Sequence, residues 1–129
     1  MPTPKSLKPL LLAAALAVAA VLPTASATAV YFENSTGVSP LVDVYVDGTL
    51  VFNDIFATSA TMFPKDIASG THEVVITPSN QAPGQRDLFR SSMNFAADGT
   101  YTLAFAEDVN DQGVRVLTLG LTPGVSTAD

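Results

Sequence analysis

The sequence has no cysteine, no tryptophan and a single histidine, His72. Without cysteine the chain can form neither a disulfide nor a thiolate metal site, so packing alone must hold the fold. The lack of tryptophan weakens the case for a carbohydrate-stacking platform, although Tyr31 and Tyr45 could serve as one. A Ser-His-Asp triad would need His72, but no Gly-x-Ser-x-Gly elbow presents a nucleophile. We therefore predict no catalytic residues, and we expect His72 to cap the inner face of a sheet.

An uninterrupted apolar run occurs near the N-terminus, where two lysines precede the 13 apolar residues 10–22. A membrane span needs about 20 apolar residues, so this run is short for one. A proline follows it, and the Ala-Ser-Ala sequence that ends at Ala27 has the small-x-small form that signal peptidase accepts. We predict a bacterial signal peptide over 1–27, cleaved between Ala27 and Thr28, and a single domain over 28–129. An uncleaved anchor is the alternative.

Basic residues are scarce, and cleavage would make them scarcer. The full chain has six basic and twelve acidic residues, and removal of residues 1–27 would leave four basic residues against the same twelve acids, a net charge of −8. Such a domain repels phosphate backbones and anionic lipid headgroups. The sequence therefore predicts an exported protein, periplasmic, cell-surface or extracellular, with no nucleic-acid partner and no membrane span after cleavage.

No window of the predicted mature chain keeps a helical period, and its segments are short, rich in Val, Thr, Tyr and Phe, and separated by turn residues. This pattern predicts an all-β fold, an immunoglobulin-like antiparallel β-sandwich of about seven strands, with a small closed barrel as the alternative. Within 54–66, Phe56, Met62 and Phe63 suggest one or two short strands under a loop. The other expected strands are 29–33, 41–46, 49–53, 71–77, 88–95, 100–106 and 114–121.

Two of these strands echo one another in sequence. Gly-Thr-His-Glu-Val-Val-Ile begins at Gly70, and Gly-Thr-Tyr-Thr-Leu-Ala-Phe begins 29 residues later at Gly99. Because strand side chains alternate between faces, each echo places its aromatic ring and two apolar residues on one face. We expect these two faces, His72/Val74/Ile76 and Tyr101/Leu103/Phe105, to pack against each other.

The segment VDVYVDG, residues 42–48, carries the first candidate binding residues, Asp43, Tyr45 and Asp47. They alternate with valines, so they share the face opposite the core, and solvated polar patterning is the ordinary interpretation. Four residues of strand separate the two carboxylates by about 13 Å, too far for a glycosidase pair. Asp47 and Gly48 also suit a type I′ hairpin turn, in which both central residues need positive φ.

The acidic turn 107–113 carries the second candidate, a cation site formed by Asp108, Asn110 and Asp111. Asp108 and Asn110 fall at the first and third positions of an EF-hand loop, but the twelfth position is Leu119 rather than glutamate. A mobile hairpin loop is the ordinary interpretation. Weak Ca²⁺ binding is the one cofactor that the sequence suggests, and otherwise we predict none.

Three segments together resemble a secreted bacterial family, the domain of unknown function 4397. They are VDVYVDGTLVF, SGTHEVVITPSN and ADGTYTLAFAED, in that order, and the resemblance covers about residues 30–121. The family's loop histidine has no counterpart, because only Ser39-Pro40 is kept of that loop. The resemblance implies an extracellular immunoglobulin-like sandwich and implies no reaction.

These observations predict a non-catalytic extracellular or cell-envelope module that contacts an unknown envelope, matrix or protein partner. Its expected contact surfaces are the Asp43/Tyr45 sheet face and the 107–113 loop. A small secreted hydrolase or metal-dependent enzyme is one alternative, and a carrier of a small apolar ligand between the sheets is another. The sequence leaves the partner and the oligomeric state open.

Overall fold

The computed structural model describes residues 26–125, which form nine β-strands and no helix that is long and apolar enough to cross a membrane. The strands follow the predicted alternation of apolar and polar residues. In chain order they are β1 (Ala27–Ser35), β2 (Leu41–Val46), β3 (Thr49–Phe56), β4 (Ser59–Ala60), β5 (Lys65–Ala68), β6 (Gly70–Pro78), β7 (Phe89–Phe95), β8 (Thr100–Val109) and β9 (Arg115–Pro123).

The strands form two sheets that face each other. One has five strands in the order β4-β1-β8-β9, with β5 also pairing with β1, and the other has four in the order β3-β2-β6-β7. All pairs are antiparallel except β1 with β8, which run parallel. The predicted all-β sandwich is confirmed. Its strand count is nine rather than about seven, because β4 and the start of β5 lie in the segment 54–66, where the sequence suggested one or two short strands.

The core lies between the inner faces of the two sheets. Phe32 from the five-stranded sheet stacks on Phe52 from the other, with ring centroids 5.6 Å apart. Phe89 also contacts Phe105 across the sheets, edge to face, with ring centroids 6.0 Å apart. The two echoed strands contribute as predicted, since their central residues are fully buried: Val74, Ile76, Leu103 and Phe105. His72 lies where that inner face ends, half-buried beside the ring of Phe95.

The turn between β2 and β3 has the predicted conformation. Asp47 has φ 49° and Gly48 has φ 82°, and Val46 pairs directly with Thr49. A two-residue loop of this kind matches the right-handed twist of the strands that it joins. The turn places the Asp47 carboxylate at one end of the four-stranded sheet, where it meets β6.

Candidate functional site

Asp43 lies on the predicted outer face of the four-stranded sheet, but it is not solvated. It is 2% exposed, and its two carboxylate oxygens accept hydrogen bonds from the backbone N–H groups of Asp54 at 2.9 Å and Asn80 at 3.1 Å. The expectation that this face is solvated was therefore wrong at Asp43. The chain after β6 folds back over this residue, and the alternation of residues along β2 cannot predict burial by a distant segment.

The groups around Asp43 show what the carboxylate does. Both of its donors, Asp54 and Asn80, have positive φ, 56° and 67°. Left-handed backbone costs roughly 1–2 kcal/mol per non-glycine residue, so neighbouring interactions must hold it in place. The Ser79 hydroxyl donates to Asp54 Oδ1, and the Thr77 hydroxyl donates to the carbonyl of Gln81 at 2.8 Å. Asp43 thus fastens β3 and the turn after β6 to the sheet, which is a structural role.

Asp47 and His72 form a pair at the end of the same sheet. His72 Nδ1 lies 2.5 Å from Asp47 Oδ2, and His72 Nε2 lies 2.6 Å from the carbonyl oxygen of Ala68. Asp47 Oδ1 also accepts the N–H of Glu73 at 2.9 Å. The two residues are far apart in sequence, and it is the pairing of Val46 with Val74 that brings them together.

Both members of this pair have shifted pKa values. The hydrogen bond to Asp47 raises the pKa of His72 above its ordinary 6.5; partial burial opposes the rise, and the Ala68 carbonyl adds to it. The same bond, with that from Glu73 N–H, lowers the pKa of Asp47 below 3.8. Since both ring nitrogens face acceptors, the charged imidazolium is the form that satisfies both. No ring nitrogen is left to accept a proton from a nucleophile.

Tyr45 is half-buried and lies in a row of side chains across the outer face. It pairs with Leu50 of β3 on one side and with Val75 of β6 on the other, and Val75 pairs with Arg90 of β7. Arg90 forms ion pairs with Glu73 at 2.8 Å and Asp87 at 2.7 Å. Asp43, Tyr45 and Asp47 therefore take three different environments and do not converge on one ligand position.

In the acidic turn, two side-chain oxygens accept hydrogen bonds from backbone N–H groups of the same hairpin. Asn110 Oδ1 accepts the N–H groups of Gln112 and Val114, both at 3.0 Å, and Asp108 Oδ1 accepts the N–H of Val109. Within residues 26–125 no three His, Asp or Glu side chains come close enough together to hold a metal ion. Of the three predicted ligands, Asn110 thus has its side-chain oxygen engaged with the backbone of its own hairpin.

The predicted cleavage point falls at the start of β1. Ala27 pairs with Ala68, and the Thr28 hydroxyl, which is buried, donates to the carbonyl of Ala96 at 2.5 Å. The carbonyl of Ser26 accepts the N–H of Ser69. Cleavage between Ala27 and Thr28 would remove the first rung of β1 and leave the buried threonine at the new terminus. The rest of the predicted signal peptide, 1–25, lies outside the described residues.

An exposed apolar surface lies beside β3, and the sequence did not predict it. Four large apolar side chains are exposed there: Leu50 (44%), Phe56 (65%), Met62 (83%) and Phe63 (76%). We call these four residues the edge strip. Phe56, Met62 and Phe63 suggested one or two short strands under a loop; the short strands β4 and β5 are present, but no loop covers these three side chains.

The edge strip has residues on both faces of the sheet at β3. Leu50 and Phe56 pair with Tyr45 and Leu41 of β2 and therefore lie on the outer face. On the other side Met62 and Phe63 line an open groove of about 400 Å³, together with residues of β3 and one cation: Val51, Phe52, Ile55 and Lys65. Strand β3 ends its sheet, and no strand among residues 26–125 pairs along its free side.

No family model matches the chain, and no curated protein matches it.

Proposed function

We propose that the chain is an exported, non-catalytic binding module that acts in the cell envelope or outside the cell, and that its contact surface is the edge strip. The observation that carries the proposal is the exposure of Phe56, Met62 and Phe63 beside the edge strand β3. Large exposed apolar patches on otherwise soluble domains mark protein or membrane contact sites. Aromatic residues and methionine are enriched in the centres of protein interfaces.

The distribution of polar groups supports binding over catalysis. Across the described residues, each buried side-chain nitrogen or oxygen has a hydrogen-bond partner. Asp43 is used to hold two backbone N–H groups, and both nitrogens of His72 are engaged. A general base needs a free position within reach of substrate. The alternative of a small hydrolase therefore has weak support in this part of the chain.

The packed core disfavours the carrier alternative. Phe32, Leu103 and Phe105 are fully buried, and aromatic contacts join the sheets at 5.6 and 6.0 Å. A carrier needs a chamber between its sheets, and apolar side chains occupy that space here. Membership in the domain of unknown function 4397 remains a prediction within this proposal, based on the three segments that resemble that family.

Cosedimentation with washed envelope fragments from the producing organism tests the proposal. The protein is mixed with fragments and the pelleted fraction is measured as its concentration rises. We expect saturable pelleting, and we expect the double variant Met62→Ser/Phe63→Ser to pellet several-fold less. Both side chains are largely exposed, so their replacement should leave the fold unchanged.

Val109→Ser is the matched control, because Val109 is 59% exposed and lies at the end of β8 rather than beside β3. It should pellet like the native protein. Equal pelleting of the double variant and the native protein would remove the edge strip from the proposal. A native protein that stays in the supernatant would reject an envelope partner and favour a released factor.

A further inference from the structure

Strand β3 is an edge strand, and its register against β2 shifts twice, as at β-bulges. Natural edge strands are guarded by such bulges and by lysines, prolines or inward charges, and of these β3 lacks the lysines and prolines. Two other edge strands carry basic residues or proline. Strand β7, at the other edge of the same sheet, contains Arg90, and β9, at an edge of the five-stranded sheet, begins with Arg115 and ends with Pro123. The sequence of β3, TLVFNDIF, contains one charged residue, Asp54, and neither lysine nor proline.

The edge strip offers apolar contacts on both faces of an added strand. Leu50 and Phe56 would meet it on the outer face, and Met62 and Phe63 would meet it in the groove. An occupant therefore needs apolar residues on both of its own faces. Strand β3 has this pattern itself, because Leu50 and Phe56 alternate with the half-buried Val51 and Ile55.

The charges at this surface also permit self-pairing. Lys65 lines the groove and forms no ion pair within residues 26–125, while Asp54 is the single acid on β3. A two-fold axis places one surface against an identical one, so a surface of a single sign would repel its own copy. This surface carries one charge of each sign, although the full chain has a net charge of −6.

The exposed area is sufficient for a weak dimer. With about 200 Å² for a whole aromatic side chain, Phe56 and Phe63 leave roughly 300 Å² uncovered. Leu50 and Met62 bring the edge strip to roughly 500 Å², near the upper end for the largest patch on a monomer. Two such patches and the paired backbones approach the lower end of specific interfaces, about 1,200 Å² in total.

We infer that β3 pairs antiparallel with β3 of a second copy of this chain across a two-fold axis, so that the two edge strips cover each other. The inference rests on the proposed function in that it names a partner for the same surface. The pairing joins two four-stranded sheets into one continuous sheet.

Sedimentation velocity of the purified protein, from about 1 µM to about 1 mM, tests the inference over the range of weak dissociation constants. We expect the weight-average mass to rise from monomer toward dimer. Met62→Ser/Phe63→Ser should keep it at monomer, and so should Leu50→Lys, which places a cation on the free edge. Val109→Ser should dimerise like the native protein.

Hydrogen exchange at both ends of that concentration range shows whether strands pair. Amides of β3 should exchange several-fold more slowly at high concentration, while those of β7, at the opposite edge, should not change. A dimer that persists in both edge-strip variants, or that protects β7 instead, would overturn the inference. So would a protein that stays monomeric throughout, and in that case loss of envelope pelleting in the double variant would still uphold the proposed function.

Discussion

Replacement of Asp43 tests whether this residue supports the fold or faces a ligand. Asp43→Ala would leave the N–H groups of Asp54 and Asn80 without their acceptor. A hydrogen bond to a charged group contributes about 1.5–3 kcal/mol. Both donors are only part-buried, so water can replace some of the loss, and we expect the free energy of unfolding to fall by about 3–4 kcal/mol. Asp43→Asn keeps one acceptor oxygen and should lose about half as much.

Urea unfolding followed by circular dichroism measures these losses. A loss of about 3 kcal/mol is a large share of the 5–15 kcal/mol that stabilises a typical domain, and it should lower the melting temperature by more than about 12 °C. Asp66→Ala is the matched control, since Asp66 is an exposed acid on β5. Its free energy of unfolding should stay within about 0.5 kcal/mol of the native value.

A local measurement separates this role from a general loss of packing. In Asp43→Asn, hydrogen exchange should accelerate first at Asp54 and Asn80, whose left-handed backbone the carboxylate holds. An Asp43→Ala variant no less stable than Asp66→Ala would contradict the structural role of Asp43. So would a fully stable Asp43→Ala that loses envelope binding, because Asp43 would then act on a ligand directly.

Three further changes test other parts of the structure. The pKa of His72 is raised in the folded state, so its ion pair with Asp47 stabilises the fold fully below pH 6.5 and less as the pH rises through the folded-state pKa. Urea midpoints of the native protein should therefore fall over that pH interval. Those of His72→Gln should stay flat. The lowered pKa of Asp47 has the opposite sign, and its contribution should be lost as the pH falls below 3.8. Gly48→Ala should lower the free energy of unfolding by about 1–2 kcal/mol because φ is 82° at Gly48, even though a Cβ there would meet no atom within 4 Å. Gly120→Ala is the control: this position is equally uncrowded and has no positive φ, so the variant should not be destabilised in the same urea assay. Phe32→Ala should cost about 3–5 kcal/mol by urea unfolding through a cavity in the core, and a loss below about 1 kcal/mol would contradict the described packing.

Local patterns predicted most of the fold. Alternation and turn residues located β2 with its observed ends and the hairpin at Asp47-Gly48 with its positive φ angles. The echoed strands predicted the two inner faces that meet in the core. These features depend on residues close together in the chain, so composition and spacing carry them. The parallel pairing of β1 with β8 joins segments about 70 residues apart, and no local pattern specifies it.

The candidate residues show the same division. Alternation placed Asp43 on the outer face, but only the return of the chain at Asn80 decided that it is buried. His72 was expected to cap the inner face, while its partner Asp47 follows from the register of β2 with β6. For the acidic turn, the spacing suggested a cation loop, and the folded hairpin directs Asn110 Oδ1 to its own backbone.

By itself the sequence determined the all-β class, the absence of disulfides and the acidic charge, because these follow from residue types and their short-range order. Tertiary structure alone decided which strand ends a sheet and which apolar residues remain uncovered. Phe56, Met62 and Phe63 resemble core residues in the sequence, and they are exposed because β3 has a neighbour on one side only. Burial depends on which distant segments pack against a residue, and along the free edge of β3 the described chain places no strand.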